Sequence, residues 1–257
     1  MTDAAMPAAD RERGRLWLAV HGLPDDRPTS LLVTRVAVRQ GARLIAAILL
    51  AVFICVVALT YVSNQPWSLA VLTVMVVALV LGQALLDWWV RRTDRRAAAT
   101  LTRRVAHAVP LGWRTLLGVP LAAFVVAIFA GATAMAVNAL TVPEPTARYA
   151  GIVLLIGLAG TAVSMIIQLR HALTYPAVAD DQVSLAADVV IRVEDARDMT
   201  VPSVVWSLPV TSVFAAAPGW WNAAWMVFIA LSAVALALIT WRTPRPGAVA
   251  RQVTNAA

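Results

Sequence analysis

The sequence predicts an all-α integral membrane protein: a polytopic bundle of six transmembrane helices in three hairpins, with short amphipathic cytoplasmic helices. Composition is the first observation, since 60% of the residues are hydrophobic, 14% are charged and the mean hydropathy is +0.75. The second is a series of apolar runs near the ~20 residues that a bilayer core requires. The third is the arginine distribution, which is concentrated at the ends of alternate runs and fixes their orientation.

The composition also excludes several kinds of chemistry. All 21 residues of the Lys+Arg total are arginine, so a lysine-dependent phosphate loop or Schiff base is ruled out. The single cysteine, Cys55, lies in an apolar run, and the three histidines lack metal-ligand spacing. No HExxH or GxSxG motif occurs. We therefore expect no catalytic residue, no cofactor, no metal site and no nucleic acid partner, and we predict that the chain is not an enzyme.

Residues 1–42 are predicted to form a cytoplasmic N-terminal segment with a mobile start. Its second half predicts an amphipathic helix capped by Thr29 or Ser30. Arg35, Arg39 and Arg43 recur every four residues, a pattern typical of a helix that lies among lipid headgroups. We interpret this helix as an interfacial anchor.

The first two spans are predicted at about 44–62 and 67–90, joined by an uncharged outer loop. Asp87, in the last turn of span two, is expected to pair with Arg91 at the interface. The helix is expected to continue into the cytoplasmic loop 91–114, where a basic surface would bind anionic headgroups. That surface consists of Arg91, Arg92, Arg95 and Arg96.

Spans three and four are predicted at about 116–140 and 149–169. Gly131 and Gly160 are expected to let these two helices approach closely, because small residues recur at four-residue intervals beside them. The outer loop between them carries Arg148, which leaves 20 of the 21 arginines on the cytoplasmic side.

The cytoplasmic loop 170–200 predicts one helix, which we place at 183–199. Asp188 with Arg192, and Glu194 with Arg197, have the spacing of helix-supporting ion pairs. The apolar stripe on the other face is expected to dock on the ends of neighbouring helices or on a partner protein. That stripe consists of Leu185, Val189 and Val193.

Span five, at about 201–217, is interrupted by Pro209, which predicts a kink or a break and leaves open whether the segment crosses fully or is re-entrant. Span six is predicted at about 223–241, followed by a short, basic and disordered cytoplasmic tail at 242–257.

Few polar side chains fall at membrane depth. Two uses remain open for them: hydrogen bonds between helices, or a path for a substrate. These residues, taken with the proline that interrupts span five, are Gln83, Asn138, Ser164, Gln168, Ser207, Pro209 and Thr211.

The layout resembles that of export permeases of ATP-binding-cassette systems, with six spans, internal termini, a basic linker after span two and a broken fifth helix. The loop after span four is longer than that family implies. We expect a transport-related transmembrane subunit that acts with a separate energising partner. The alternative is a membrane scaffold or regulatory protein that binds a partner through helix 183–199, or that associates with itself. The arginine, alanine and valine usage indicates a bacterial inner membrane. The distribution of arginines predicts that both termini lie in the cytoplasm.

Overall fold

A computed structural model describes residues 7–24, 28–63, 68–99, 111–175, 182–208 and 219–255. Within these ranges the chain is all-helical and contains no strand. The helices, in chain order, are α1 (Ala8–Val20), α2 (Ser30–Ser63), α3 (Ser68–Ala99), α4 (Trp113–Leu116), α5 (Gly118–Ala139), α6 (Pro145–Thr174), α7 (Gln182–Asp198), α8 (Ser203–Ser207), α9 (Gly219–Arg242) and α10 (Pro246–Asn255).

Five helices are long and apolar enough to cross a membrane, namely α2, α3, α5, α6 and α9. Only between 11% and 33% of the most apolar stretch of each helix is buried inside the protein. Large aliphatic side chains such as Leu59, Leu81 and Leu231 are more than half exposed. This exposure is what a lipid solvent requires, and the chain is accordingly a multi-pass membrane protein in its composition and packing.

Helix α2 is longer than the sequence predicts, because the expected interfacial helix and span one form one uninterrupted element. The predicted start is confirmed: the helix begins at Ser30, and the Thr29 hydroxyl accepts a hydrogen bond from the Leu32 N–H at 3.3 Å. No proline separates the two predicted parts, and Gly41 between them is accommodated inside the helix.

A layer of short helices covers the arginine-rich ends of the long helices, and we call it the charged layer. It consists of α1, α4, α7 and α10, and α7 packs against α4, α6 and α10. The predicted mobile start and disordered tail are wrong over Ala8–Val20 and Pro246–Asn255, which form α1 and α10, while residues 1–6 and 256–257 lie outside the described residues. Helix α10 buries Val249 and Ala250, and Arg251 donates to the Gly22 carbonyl at 2.9 Å. A Cβ on Gly247 would overlap the His21 carbonyl oxygen, so α10 meets the end of α1 at a site that only glycine fits.

The two expected glycines lie at close contacts between spans, but the contact between α5 and α6 uses a different glycine. A Cβ on Gly151 would lie 2.9 Å from the Ala136 carbonyl oxygen, so this glycine sets the distance between α5 and α6. A Cβ on Gly131 would instead meet Phe228 of α9, and one on Gly160 would meet Val80 of α3. The prediction that Gly131 and Gly160 bring spans three and four together is therefore wrong, because the two residues face different partners.

The predicted fifth span lies partly outside the described residues. Its first turn is α8, which the Trp206 indole holds against α9 by donating to the Ser232 hydroxyl at 2.7 Å. Pro209 and Thr211 fall outside the described ranges, so the expectation of a kink or crossing there stays a prediction.

Candidate functional site

An ion-pair network joins α2, α3 and α7 where the long helices meet the charged layer. Asp94 of α3 accepts from both Arg35 (Nε–Oδ1, 2.9 Å) and Arg39 (Nη2–Oδ2, 2.7 Å). Arg39 also donates to Asp195 of α7 (Nη2–Oδ2, 2.8 Å), and Arg35 Nη2 lies 2.8 Å from Asp188 Oδ1. Arg35, Arg39, Asp94 and Asp188 are each less than 10% exposed.

This network corrects the headgroup interpretation of the arginine stripe. Arg35 and Arg39 point into the protein, because burial of Asp94 and Asp188 requires compensating cations nearby. Arg43, the third residue of the stripe, is half exposed and pairs with Asp198. The same four-residue spacing serves a headgroup-facing helix and a helix that carries buried ion pairs, so spacing alone did not separate the two.

The charged layer has a second ion pair, between α1 and α7. His21 Nε2 lies 2.9 Å from Glu194 Oε1, and His21 Nδ1 lies 2.7 Å from the Trp17 carbonyl oxygen. Burial disfavours the charged imidazole, but the Glu194 hydrogen bond and the Trp17 carbonyl outweigh it and raise the pKa of His21. Burial similarly opposes the charge on Glu194, and His21 and Arg43 overcome it to lower the pKa of that carboxyl. The expected Glu194–Arg197 pair is replaced by this contact, and Arg197 donates to the Pro244 carbonyl instead.

A cavity of about 660 Å³ lies directly beside the buried network. One end is lined by charged groups of α2, α3 and α7, including Arg39, Arg91 and Arg192. The opposite walls are apolar and come from the spans. They include Leu50 of α2, Val80 and Leu86 of α3, Val125, Ile128 and Phe129 of α5, and Val204 and Val205 of α8.

Two polar stripes run along the cavity from its apolar part to its charged end. On α3 the stripe recurs at three- and four-residue intervals through Gln83, Asp87, Arg91 and Asp94. On α6 it follows the same spacing through Thr161, Ser164, Gln168, His171 and Tyr175. This period places each set on one helix face, so the stripes could have been found in the sequence by searching for polar residues with helical spacing.

Three of the residues predicted for a polar path come together in this cavity: Gln83, Ser164 and Gln168. Asp87 lies among them and accepts from the Ser164 hydroxyl at 3.1 Å, which links α3 to α6. The expected electrostatic interaction of Asp87 with Arg91 is present beside this hydrogen bond, without a direct ion pair.

The other predicted site residues lie elsewhere. Asn138 is exposed at the far end of α5, where its carbonyl oxygen accepts from the Thr141 hydroxyl. Ser207 is buried and donates to the Val204 carbonyl of its own helix at 2.7 Å.

The residues expected to dock on a partner are buried inside the protein. Leu185, Val189 and Val193 are 7%, 1% and 0% exposed, and Val189 and Val193 belong to the main apolar core. Their burial agrees with the first of the two expected alternatives, docking on neighbouring helices, since α7 packs against α4, α6 and α10. The predicted Asp188–Arg192 pair is confirmed, with Nε–Oδ2 at 2.8 Å.

Two arginines on the cavity wall have hydrogen-bond donors without a partner among the described residues: Arg91 Nη1 and Arg192 Nη2, both buried. Arg192 is 8% exposed, and its other nitrogens are held by Asp188 and by the Tyr175 carbonyl. Four arginines were predicted to bind headgroups. Arg91 has a buried nitrogen without a partner in the described part of the chain, whereas Arg92, Arg95 and Arg96 are exposed.

No protein-family model, curated protein or solved structure matches this chain. Any function of the cavity and its ion-pair network must therefore be inferred from their geometry.

Proposed function

We propose that the chain is a permease-like transmembrane subunit of a transport system in a bacterial inner membrane, and that the cavity is its substrate site. One observation carries the proposal: an internal space of about 660 Å³ joins apolar walls between the spans to polar and charged groups at one end. Binding sites for small molecules commonly combine apolar walls with a few convergent polar groups. Polar residues at membrane depth also mark substrate pathways.

The proposal keeps six spans in three hairpins with both termini in the cytoplasm, which places the charged layer on the cytoplasmic side. The positive-inside rule supports this orientation, because the arginines concentrate at that end. In this proposal a separate protein supplies the energy for transport. The charged layer is the part of the chain that such a partner would reach.

The alternative is a membrane scaffold or regulatory protein that binds a partner through α7. Burial of Leu185, Val189 and Val193 argues against that apolar stripe as the binding face, whereas Glu194, Asp195 and Asp198 are at least partly exposed. A regulatory partner would need another face of the charged layer, and that outcome is part of the test below.

The test uses the full chain in inside-out membrane vesicles from cells that express it. With the native Cys55 replaced by serine, Ser164→Cys places a reporter on the cavity wall, and Asn138→Cys places a control at the exposed far end of α5. We expect nucleotide hydrolysis by the partner to change the maleimide labelling rate of the cavity cysteine several-fold and to leave the control unchanged. Crosslinking and mass spectrometry should identify a nucleotide-binding protein beside the charged layer.

Two results would contradict the proposal. Absence of a nucleotide-binding partner together with constant labelling of the cavity cysteine would exclude an energised transport subunit. A partner that crosslinks without any change at the cavity would favour the scaffold alternative.

A further inference from the structure

We propose that the cavity binds an anionic amphiphile, with a phosphate or carboxylate headgroup on Arg91 and Arg192 and an acyl chain along the apolar walls. This inference rests on the proposed function only in naming what the cavity would carry. Binding itself requires no partner and no transport, so the two can fail separately.

The charge of the headgroup follows from which groups already have partners. Among the described residues, each carboxylate that lines the cavity is engaged. Asp94 and Asp195 are held by Arg39, Asp198 pairs with Arg43, and Asp87 accepts from Ser164. Among the described residues that line the cavity, the buried donors without a partner are guanidinium nitrogens. Three of the four carboxylates are already paired with arginines, and the fourth, Asp87, lies one helical turn from Arg91. An anion would satisfy buried N–H groups that are costly to leave unmade.

The identity of the headgroup follows from guanidinium geometry. The planar fork of arginine matches the oxygens of a carboxylate or a phosphate, and charge-assisted hydrogen bonds of this kind are stronger than neutral ones. Arg192 is well suited to this role because Asp188 and the Tyr175 carbonyl fix its side chain while the buried Nη2 has no hydrogen-bond partner among the described residues. The ligand would not need to order this arginine on binding, which lowers the entropic cost.

The acyl chain follows from the remaining walls. Beyond the polar stripes the cavity is lined by aliphatic and aromatic side chains from α2, α3 and α5, represented by Leu50, Val80 and Phe129. A small hydrophilic anion would leave this surface in contact with water. An acyl chain would cover it, and each methylene that leaves water would add to the affinity.

The test measures equilibrium binding to the purified full chain in a neutral maltoside detergent. The probes are oleate and 1-oleoylglycerol 3-phosphate as anionic amphiphiles, monooleoylglycerol as a neutral amphiphile, and inorganic phosphate as an anion without a chain. We expect both anionic amphiphiles to bind at least tenfold more tightly than the neutral one, and phosphate to compete poorly.

Two substitution pairs separate the headgroup from the chain. Arg91→Gln should weaken binding of the anionic amphiphiles about tenfold or more, the effect of losing a charge-assisted hydrogen bond, while Arg170→Gln on the exposed surface of α6 should not. Ala46→Leu on the cavity wall should weaken binding of both kinds of amphiphile, while Ala51→Leu on the same helix, outside the cavity, should not. Because Ala46→Leu removes no charge, it keeps the test valid if Arg91→Gln fails to fold.

Three results would overturn the inference: equal binding of the neutral and anionic amphiphiles, equal effects of Arg91→Gln and Arg170→Gln, or competition by inorganic phosphate as strong as that by oleate. The last would identify a small-anion site. If the amphiphiles bind as expected but no energising partner exists, the proposed function fails and this inference stands. If the labelling test succeeds and no amphiphile binds, this inference fails and the proposed function stands.

Discussion

Helix α9 is apolar but mostly exposed, whereas helix α7 is rich in charged residues but largely buried. Helix α9 is among the apolar spans, yet only 11% of its most apolar stretch is buried inside the protein. Helix α7 carries six charged residues among its 17, yet its side chains from Leu185 to Val193 are all buried. The difference shows that two solvents shape this chain. Lipid covers the spans, so their apolar surface needs little protein contact, whereas α7 can be covered only by the chain itself.

The cost of burial is also different in the two regions. A lipid-facing valine gains nothing by packing against protein, but each carboxylate of α7 must be paired to be buried at all. The stability of the charged layer should therefore depend on specific partners, and the stability of the spans on a few close contacts. The following predictions test that contrast.

The largest effect is expected from Asp94→Asn, which removes the anion shared by Arg35 and Arg39. Breaking a buried ion pair from one side leaves uncompensated charge, which typically costs about 3–5 kcal/mol of unfolding free energy. The measurement is the thermal midpoint of the detergent-solubilised chain. Asp10→Asn is the control, since its pair with Arg13 is exposed and should contribute almost nothing. Equal midpoints for the two variants would show that the network is not a structural requirement.

A matched pair of valine substitutions compares the two regions directly. Val190 of α7 is fully buried, and Val234 of α9 is 59% exposed. Val190→Ala should lower the unfolding free energy by about 2 kcal/mol through lost burial and the cavity left behind, and Val234→Ala by less than about 0.5 kcal/mol. The same midpoint assay applies. Similar losses at both positions would mean that α9 packs against protein rather than against lipid.

The spans should nevertheless be sensitive at their few close contacts. Gly151→Ala places a methyl group against the Ala136 carbonyl, where backbone rather than a flexible side chain must move, so we expect a loss of about 1–3 kcal/mol. Gly41→Ala is the matched control. Its Cβ would only reach ordinary contact with Trp89 at 4.0 Å, and alanine favours the helix by up to about 1 kcal/mol. Destabilisation by Gly41→Ala alone would reverse the assignment of close contacts.

Five of the six predicted spans correspond to helices long and apolar enough to cross a membrane, because hydropathy measures the same transfer energy that lipid supplies. Span three at 116–140, for example, corresponds to Gly118–Ala139. The charged layer was predicted poorly, because its partners are distant in sequence: Arg35 and Asp94 are 59 residues apart, and Arg39 and Asp195 are 156 apart. Local pairing rules find Asp188 with Arg192 and miss every such contact. The cavity was predicted in part, since Gln83, Ser164 and Gln168 were chosen for their polarity at membrane depth, but their convergence depends on how the helices pack.

The smallest effect is expected from the contact between His21, at the end of α1, and Glu194 of α7. Both ring nitrogens of His21 face acceptors, the Glu194 carboxylate and the Trp17 carbonyl, so the doubly protonated imidazole fits the site best. The folded-state pKa of His21 is accordingly raised above the ordinary value of 6.5, while the unfolded chain keeps that value. The contact therefore contributes its full stability below pH 6.5 and loses it as the pH rises through the folded pKa. Glu194 acts in the opposite direction only at acidic pH, because its pKa is lowered.

We expect the thermal midpoint to fall by a few degrees between pH 6 and pH 8.5, and His21→Gln to flatten that dependence by removing the titrating group. Arg43 also lies near Glu194, at 3.8 Å, but stays charged throughout this range and so leaves the slope unchanged. An equal slope in His21→Gln would place the titrating group elsewhere, whereas a slope lost in both His21→Gln and Glu194→Gln would assign it to this pair.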